Sequence, residues 1–488
     1  MRGPTVLDPA PGAWNPAPVT TAPPDAGPGS AVPPADRALR RERFGWYSYD
    51  WANSVFSTSV VTVFLAPYLT SIAKAAAGAD GRIHPLGISV PPGAFFGYVL
   101  SVSVLAQVLV LPVTGAFADR TGHKRQMLAT LAFVGAACTT ALFFVAHERY
   151  VLGAGLFIVA NLCFGASVVV YYSWLPDLAA PDDRDKISSR GWAYGYLGGA
   201  ALLALNLVLF TQYASLGLTE GEAVRICLAS AGIWWAGFTV VSVTLLRNRR
   251  PRFLDDGGGG TGGGDRAPRA HPGTVSGSFR QLGATLGDLR RYPLTLWFLG
   301  AYLLFNDGVQ TVIGVSAQYG KEELRLPETT LVSAILLVQF VAFGGALALG
   351  RIAMAVGAKR TVLWSLVAWT GTLVVAYFVQ AGSAVQFYLL AMVIAIVLGG
   401  TQALSRSLFS QLIPSGREAE YFGFYEISDR GTSWLGPFVF ALTFQLTSSY
   451  RYAIFSLVFF FVAGGLLLLR LPMRRAIVAA GNTPPERL

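Results

Sequence analysis

The sequence predicts an all-α membrane protein, with twelve transmembrane helices in two six-helix bundles related by pseudo-symmetry. Three observations carry that prediction. In a chain of 488 residues, 53% are hydrophobic and only 13% are charged, where soluble chains carry ~25%. So little charge cannot cover the roughly three soluble domains that such a length would otherwise hold, and the mean hydropathy is +0.50. Twelve apolar stretches have bilayer-spanning length. A loop motif recurs once in each half. A cytosolic enzyme, a disordered chain and a nucleic-acid binder are excluded. The net charge of +10, from 37 basic and 27 acidic residues, is scattered through short loops rather than gathered on one face as nucleic-acid binding requires.

Residues 1–36 hold ten of the 27 prolines and no apolar block. Residues 1–40 therefore read as a disordered Pro/Ala-rich tail, not a secretory signal. A basic patch of Arg37, Arg40, Arg41 and Arg43 follows. The apolar stretches, each at least ~20 residues long, lie near 45–72, 95–117, 126–146, 150–174, 190–212, 225–246, 293–318, 329–350, 361–380, 384–405, 421–447 and 451–470. Between the sixth and seventh, Gly257 to Gly264 is all glycine except Thr261. This gives an N-terminal bundle over 41–247, a flexible linker over 248–290, a C-terminal bundle over 291–471 and a tail over 472–488.

Lys and Arg in the loops set the orientation. With the N-terminus inside, the inner segments hold 29 of them and the outer loops 7. Both termini are therefore expected in the cytoplasm, and the protein in the plasma membrane. Cys138, Cys163 and Cys227 all sit in apolar runs, and the four histidines are dispersed. No metal or cofactor is expected.

The loop after the second span reads Gly115-Ala-Phe-Ala-Asp119-Arg120-Thr-Gly122-His-Lys124-Arg125. The loop after the eighth reads Gly350-Arg-Ile-Ala-Met354-Ala-Val-Gly357-Ala-Lys359-Arg360. Both fit G-x6-G-x-K-R, 235 residues apart, at the same place in each six-helix half. Parallel six-helix repeats with a path between them are a transporter plan. The first loop resembles the major facilitator superfamily signature, with His123 in place of the usual arginine; Met354 stands where the second copy would carry the acid. Gly115, Asp119, Arg120, Gly122, Lys124 and Arg125 are thereby expected to form a conformational-switch loop. Tyr49-Asp50-Trp51-Ala52-Asn53-Ser54, Leu175-Pro176-Asp177-Leu178, Asn306-Asp307-Gly308-Val309-Gln310-Thr311, Gly400-Thr401-Gln402-Ala403-Leu404-Ser405-Arg406-Ser407 and Tyr421-Phe422-Gly423-Phe424-Tyr425 resemble the family related to the autophagic vacuolar amino-acid effluxer. The likeness covers roughly residues 41 to 470.

Charges inside hydrocarbon cost at least ~2.5 kcal/mol on insertion scales, so each intramembrane charge is a candidate site. Asp50 is either an interfacial carboxylate paired with Arg41 or Arg43, or part of a polar stripe with Asn53, Ser54, Ser57 and Thr58 facing a water-filled path. Asp307 lies about fourteen residues into the seventh span, close to mid-bilayer at ~1.5 Å per residue. It is a candidate proton site or substrate contact, and Asp307-x-x-Gln310 echoes Asp50-x-x-Asn53. Glu426, Asp429 and Arg430 open the eleventh span; they are either solvated or in the path, with Glu426 and Arg430 spaced to pair. Arg406 is either a snorkelling anchor at the end of its helix or a cavity residue able to hold a carboxylate. Gly191, Gly195, Gly198 and Gly199 favour close helix packing. Asp182-Asp183-Arg184-Asp185 reads as a charged turn; an Mg²⁺ site would need a second acidic cluster, and none is present.

The expected function is secondary active transport of a small organic solute, with an amino acid as the leading candidate and protons as the candidate coupling ion. The partners are that solute and the lipid bilayer, with no nucleic acid, and the protein is expected to be a monomer. Uptake and export both remain open. The rival reading is a non-transporting solute sensor or an intramembrane enzyme on a carrier-like scaffold; an enzyme would need a metal or nucleophile cluster.

Overall fold

The computed structural model describes residues 34–248, 290–430 and 435–488; the N-terminal tail and nearly all of the Gly-rich linker lie outside them. Among the described residues the secondary structure is helical, apart from one isolated bridge between Ile83 and Val90. Helix α1 spans Asp36–Ala75, followed by α2 (Pro92–Thr121), α3 (Lys124–Phe144), α4 (Tyr150–Leu178), α5 (Pro181–Thr211) and α6 (Glu220–Leu245). The C-terminal half holds α7 (Pro293–Glu322), α8 (Glu328–Val356), α9 (Ala358–Phe378), α10 (Ala384–Ser410), α11 (Glu418–Arg430), α12 (Leu435–Thr447), α13 (Tyr450–Arg470) and α14 (Met473–Ala479).

Eleven of the described helices are long and apolar enough to cross a bilayer. Of the eleventh predicted span, the described residues form α11 and α12, 13 residues each, on either side of 431–434, which lie outside the described residues. The first span is also longer than expected, and from Phe56 to Phe64 it is π-helical. There the Thr62 hydroxyl donates to the Ser57 carbonyl five residues back.

Helix ends follow local rules. Thr219 and Glu222 form a capping box at the start of α6. Proline stands at the start of α2 and α7, where its missing N–H is harmless. Gly122 ends α2 with a left-handed φ of 64°.

Within the N-terminal half, α1 packs on α5 and α6, and α4 on α2 and α3. Glycine lets α5 approach α1 as expected: a Cβ on Gly198 would strike the Trp51 backbone, and one on Gly195 the Ser54 hydroxyl. In the C-terminal half, α10 packs on α8 and α9, and α13 on α7 and α9. The halves meet through α2 and α4 against α11, and through α5 against α8 and α10. Both described termini and the α2–α3, α4–α5, α8–α9 and α10–α11 connections share one side of the molecule, called the terminal face below.

Candidate functional site

Near the terminal end of α10, the Arg406 side chain is fully buried. The expectation of a snorkelling anchor is overturned: helices from the other half cover the guanidinium before it can reach an interface. Its Nη1 lies 3.4 Å from Asp50 Oδ2. Its Nε donates to Ser188 Oγ at 2.9 Å and its Nη2 to the Ser188 carbonyl at 2.8 Å. Ser188 Oγ in turn donates to the Ala403 carbonyl at 2.6 Å. The rings of Trp46, Tyr171, Tyr172 and Trp192 lie 4.7–5.9 Å from the guanidinium carbon, within cation–π range. One cation of the C-terminal half is thus held by α1, α4 and α5 of the other.

Asp50 is likewise not paired with Arg41 or Arg43. Its Oδ2 also accepts from the Tyr171 hydroxyl at 2.7 Å. Arg43 instead donates to the Leu178 carbonyl at 2.9 Å. A buried ion pair persists only when further hydrogen bonds satisfy its remaining donors and acceptors, and Tyr171 and Ser188 provide them.

The α2–α3 loop makes a second joint between the halves. Asp119 is buried, and its two carboxylate oxygens accept the backbone N–H groups of Ala419 and Glu420 at 3.1 and 2.9 Å. These are the unpaired donors of the first turn of α11, where the helix dipole also favours an anion. Lys124 Nζ lies 3.7 Å from Asp119 Oδ1 and donates to the Ser173 carbonyl at 3.4 Å. A Cβ on Gly115 would collide with the Ala419 carbonyl, so only glycine admits α11 this close. Arg125 contributes its backbone N–H to Asn248 at 2.8 Å, and Arg120 is half-buried. In the second copy, Lys359 Nζ donates to the Leu469 and Leu471 carbonyls, and Met354 is exposed.

Asp307 is buried on α7. Its Oδ2 accepts the N–H of Gly436, on α12, at 2.7 Å, while its Oδ1 has no hydrogen-bond partner. Helix α11 begins on a carboxylate, Asp119, from the opposite half. On the residue adjacent to Asp307, Asn306 Nδ2 donates to Asp429 Oδ1 at 2.7 Å, and from just over a turn closer to the terminal face the Tyr302 hydroxyl donates to the same oxygen at 2.9 Å. Gln402 Nε2 donates to Asn306 Oδ1 at 2.7 Å. Glu426 is buried. Burial of Glu426 argues against its solvated reading, whereas Asp429 is half-buried. The Arg430 side chain lies outside the described residues.

The structure thus brings Asp50 together with Arg406, and Asp429 with Tyr302 and Asn306 of α7. The echo between Asp50 and Asp307 does not extend to their partners, which are a guanidinium and a backbone N–H. Asn53 is buried and Gln310 half-buried; neither joins these bonds. Sequence reading missed Tyr171, Ser188 and Tyr302 as partners, and passed over Asn306 and Gln402 within stretches already noted. A polar residue in an apolar span was the available signal. Among the described residues, no group of three His, Cys, Asp or Glu could hold a metal.

The family model described as vacuole effluxer Atg22 like matches residues 38–481. An uncharacterized MFS-type transporter of Bacillus subtilis (strain 168), YxiO, is 29% identical over 89% of this chain and 96% of its own length. Autophagy-related protein 22-1 of Penicillium rubens is 26% identical over 82% of this chain and 84% of its own length. Among solved structures, the E. coli fucose:proton symporter superposes with a TM-score of 0.62 at 11% identity, covering 88% of this chain and 97% of that one. That likeness concerns the fold, which is the major facilitator fold in both. A match across nearly all the described helices, with relatives that are transporters, places the chain in the Atg22-like vacuole effluxer family of membrane transport proteins.

Proposed function

We propose that this protein is a secondary active carrier of a small organic solute bearing a carboxylate, with an amino acid as the leading candidate. It resides in the plasma membrane with both termini in the cytoplasm. The six-helix bundles over 41–247 and 291–471 move against each other as the linker over 248–290 allows, and the terminal face is the cytoplasmic one. The observation that carries this reading is Arg406: a desolvated guanidinium of one half, held by Asp50 of the other. A solute carboxylate is the natural competitor for Asp50 at that guanidinium, because both offer the same charge-assisted geometry. Exchange of one for the other would couple occupancy to the joint between the halves, giving the solute the differential interaction that alternating access requires.

Asp307 is the proposed proton site. It is a buried carboxylate whose Oδ1 lacks a partner, so a proton there would meet no competing donor. The test is purified protein in liposomes, assayed for flux of pooled amino acids with and without a pH gradient. Wild-type protein should accumulate at least one of them, and Asp307→Asn should abolish gradient-driven accumulation while exchange between the two faces persists. Loss of exchange along with accumulation would make Asp307 a substrate contact instead. Undiminished accumulation by the Asn variant, at equal protein level, would remove it from coupling.

A further inference from the structure

The charged turn Asp182-Asp183-Arg184-Asp185 sits on the terminal face, outside both the Arg406 cluster and the Asp119 joint. It is fixed to its own half by Arg43, whose Nη2 lies 4.0 Å from Asp183 Oδ2. From there it reaches the other half twice. Arg184 is buried, and its Nη1 donates to the Ser410 carbonyl at 2.9 Å. Ser410 is the last residue of α10, so the guanidinium satisfies a carbonyl that the helix leaves open and complements the negative end of its dipole. Asp182 Oδ1 accepts the Glu486 backbone N–H at 2.8 Å.

Glu486 belongs to a segment anchored otherwise to the C-terminal half. After α14, Gly481 turns the chain with φ 79°. Asn482 Nδ2 then donates to the Gln411 and Ile413 carbonyls at 2.8 and 2.7 Å, Pro485 is buried, and Arg487 Nη1 donates to the Ala355 carbonyl at 2.9 Å. Arg474 donates to the Glu486 carbonyl at 3.0 Å, holding the strap back on α14. Residues 482–488 therefore cross from the α8–α9 and α10–α11 connections to the turn between α4 and α5.

We infer that this turn and strap form a latch that holds the terminal face closed, with Asp182, Arg184 and Asn482 positioning the two halves for the transport cycle. Opening that face separates Asp182 from Glu486 and Arg184 from Ser410, so both contacts exist in one state only, and their loss shifts the balance between states. The latch rests on alternating access but not on any substrate, so its test needs none.

Spin labels at exposed positions, Arg40→Cys with Arg360→Cys on the terminal face and Glu148→Cys with Ala381→Cys on the opposite face, report the two distances by pulsed electron resonance. The labels are placed in full-length protein lacking Cys138, Cys163 and Cys227. Asp182→Ala, Arg184→Gln and removal of 482–488 should each lengthen the 40–360 distance and shorten the 148–381 distance. The open-to-closed ratio should move about tenfold, as expected for loss of one charge-assisted hydrogen bond. Asp182→Asn retains Oδ1 as an acceptor and should stay close to wild type. Unchanged distances in all three variants overturn the latch. So does broadening of both pairs without a reciprocal shift, which would mean that the strap only supports the fold. Asp119→Asn is the reference: a reciprocal shift there but not in the latch variants removes the latch alone, whereas its absence everywhere removes alternating access as well.

Discussion

Arg406 and Asp50 illustrate how much a single buried charge depends on its surroundings. The pair is desolvated, so its Coulomb attraction offsets a large transfer cost only while Tyr171 and Ser188 complete the hydrogen bonding. Asp50→Ala leaves an unpaired guanidinium among aromatic rings and is expected to destabilise by about 3–5 kcal/mol. Arg406→Met on the same background removes the orphaned charge and should recover most of that loss. The check is a thermal-unfolding cycle of the two single variants and the double variant in detergent. Additive effects would mean that the 3.4 Å contact carries no coupling. Arg406→Lys is not conservative here, because three separate guanidinium nitrogens reach Asp50 and the two Ser188 oxygens, a spread that a compact ammonium does not have.

At the scale of elements, α2 and α11 are held together by backbone approach as much as by charge. A Cβ on Gly115 would meet the Ala419 carbonyl, and one on Gly423 would meet Pro112, so glycine stands on both sides of the contact. Gly115→Val should push α11 away from Asp119 and cost about 1–3 kcal/mol through overpacking. It should also favour opening of the terminal face, read as faster alkylation of a cysteine placed at buried Ser407 by a membrane-impermeant maleimide. Asp119→Asn adds no volume; it removes the charge at the α11 N-terminus and turns one acceptor into an amide donor facing a backbone N–H, so it should speed alkylation at a cost of about 1–3 kcal/mol. Unchanged alkylation by both substitutions despite lowered stability would place the effect in the fold rather than in the balance of states.

For the whole molecule, orientation is the property that loop charge governs. Cysteines introduced singly into 248–290 and after residue 480 should react only from the cytoplasmic side of intact cells, and those in 76–91 only from outside. Labelling of the linker from outside would reverse the topology and move the Arg406 cluster, the Asp119 joint and the latch to the outer gate. All three close the same face, so their energies act on a single equilibrium. Weakening any one should move the same pair of states.

Composition, apolar run length and motif spacing were enough to read the solvent, the helices and the family. Apolar runs of spanning length leave helix as the structure that satisfies every backbone group in lipid, and Gly115 to Arg125 marks the loop that joins α2 to α3. Sequence reading also flagged Asp50, Asp307, Arg406, Glu426 and Asp429, because charge in an apolar span is legible without coordinates. Only the tertiary structure decided their partners. Arg406 and Asp50 lie 356 residues apart, and Asp119 and Ala419 300 apart; no local period records a contact between halves. The turn at Asp182 reads in sequence as solvated charge. It becomes a joint because α10 ends against it, and where a helix ends against another half is decided by packing.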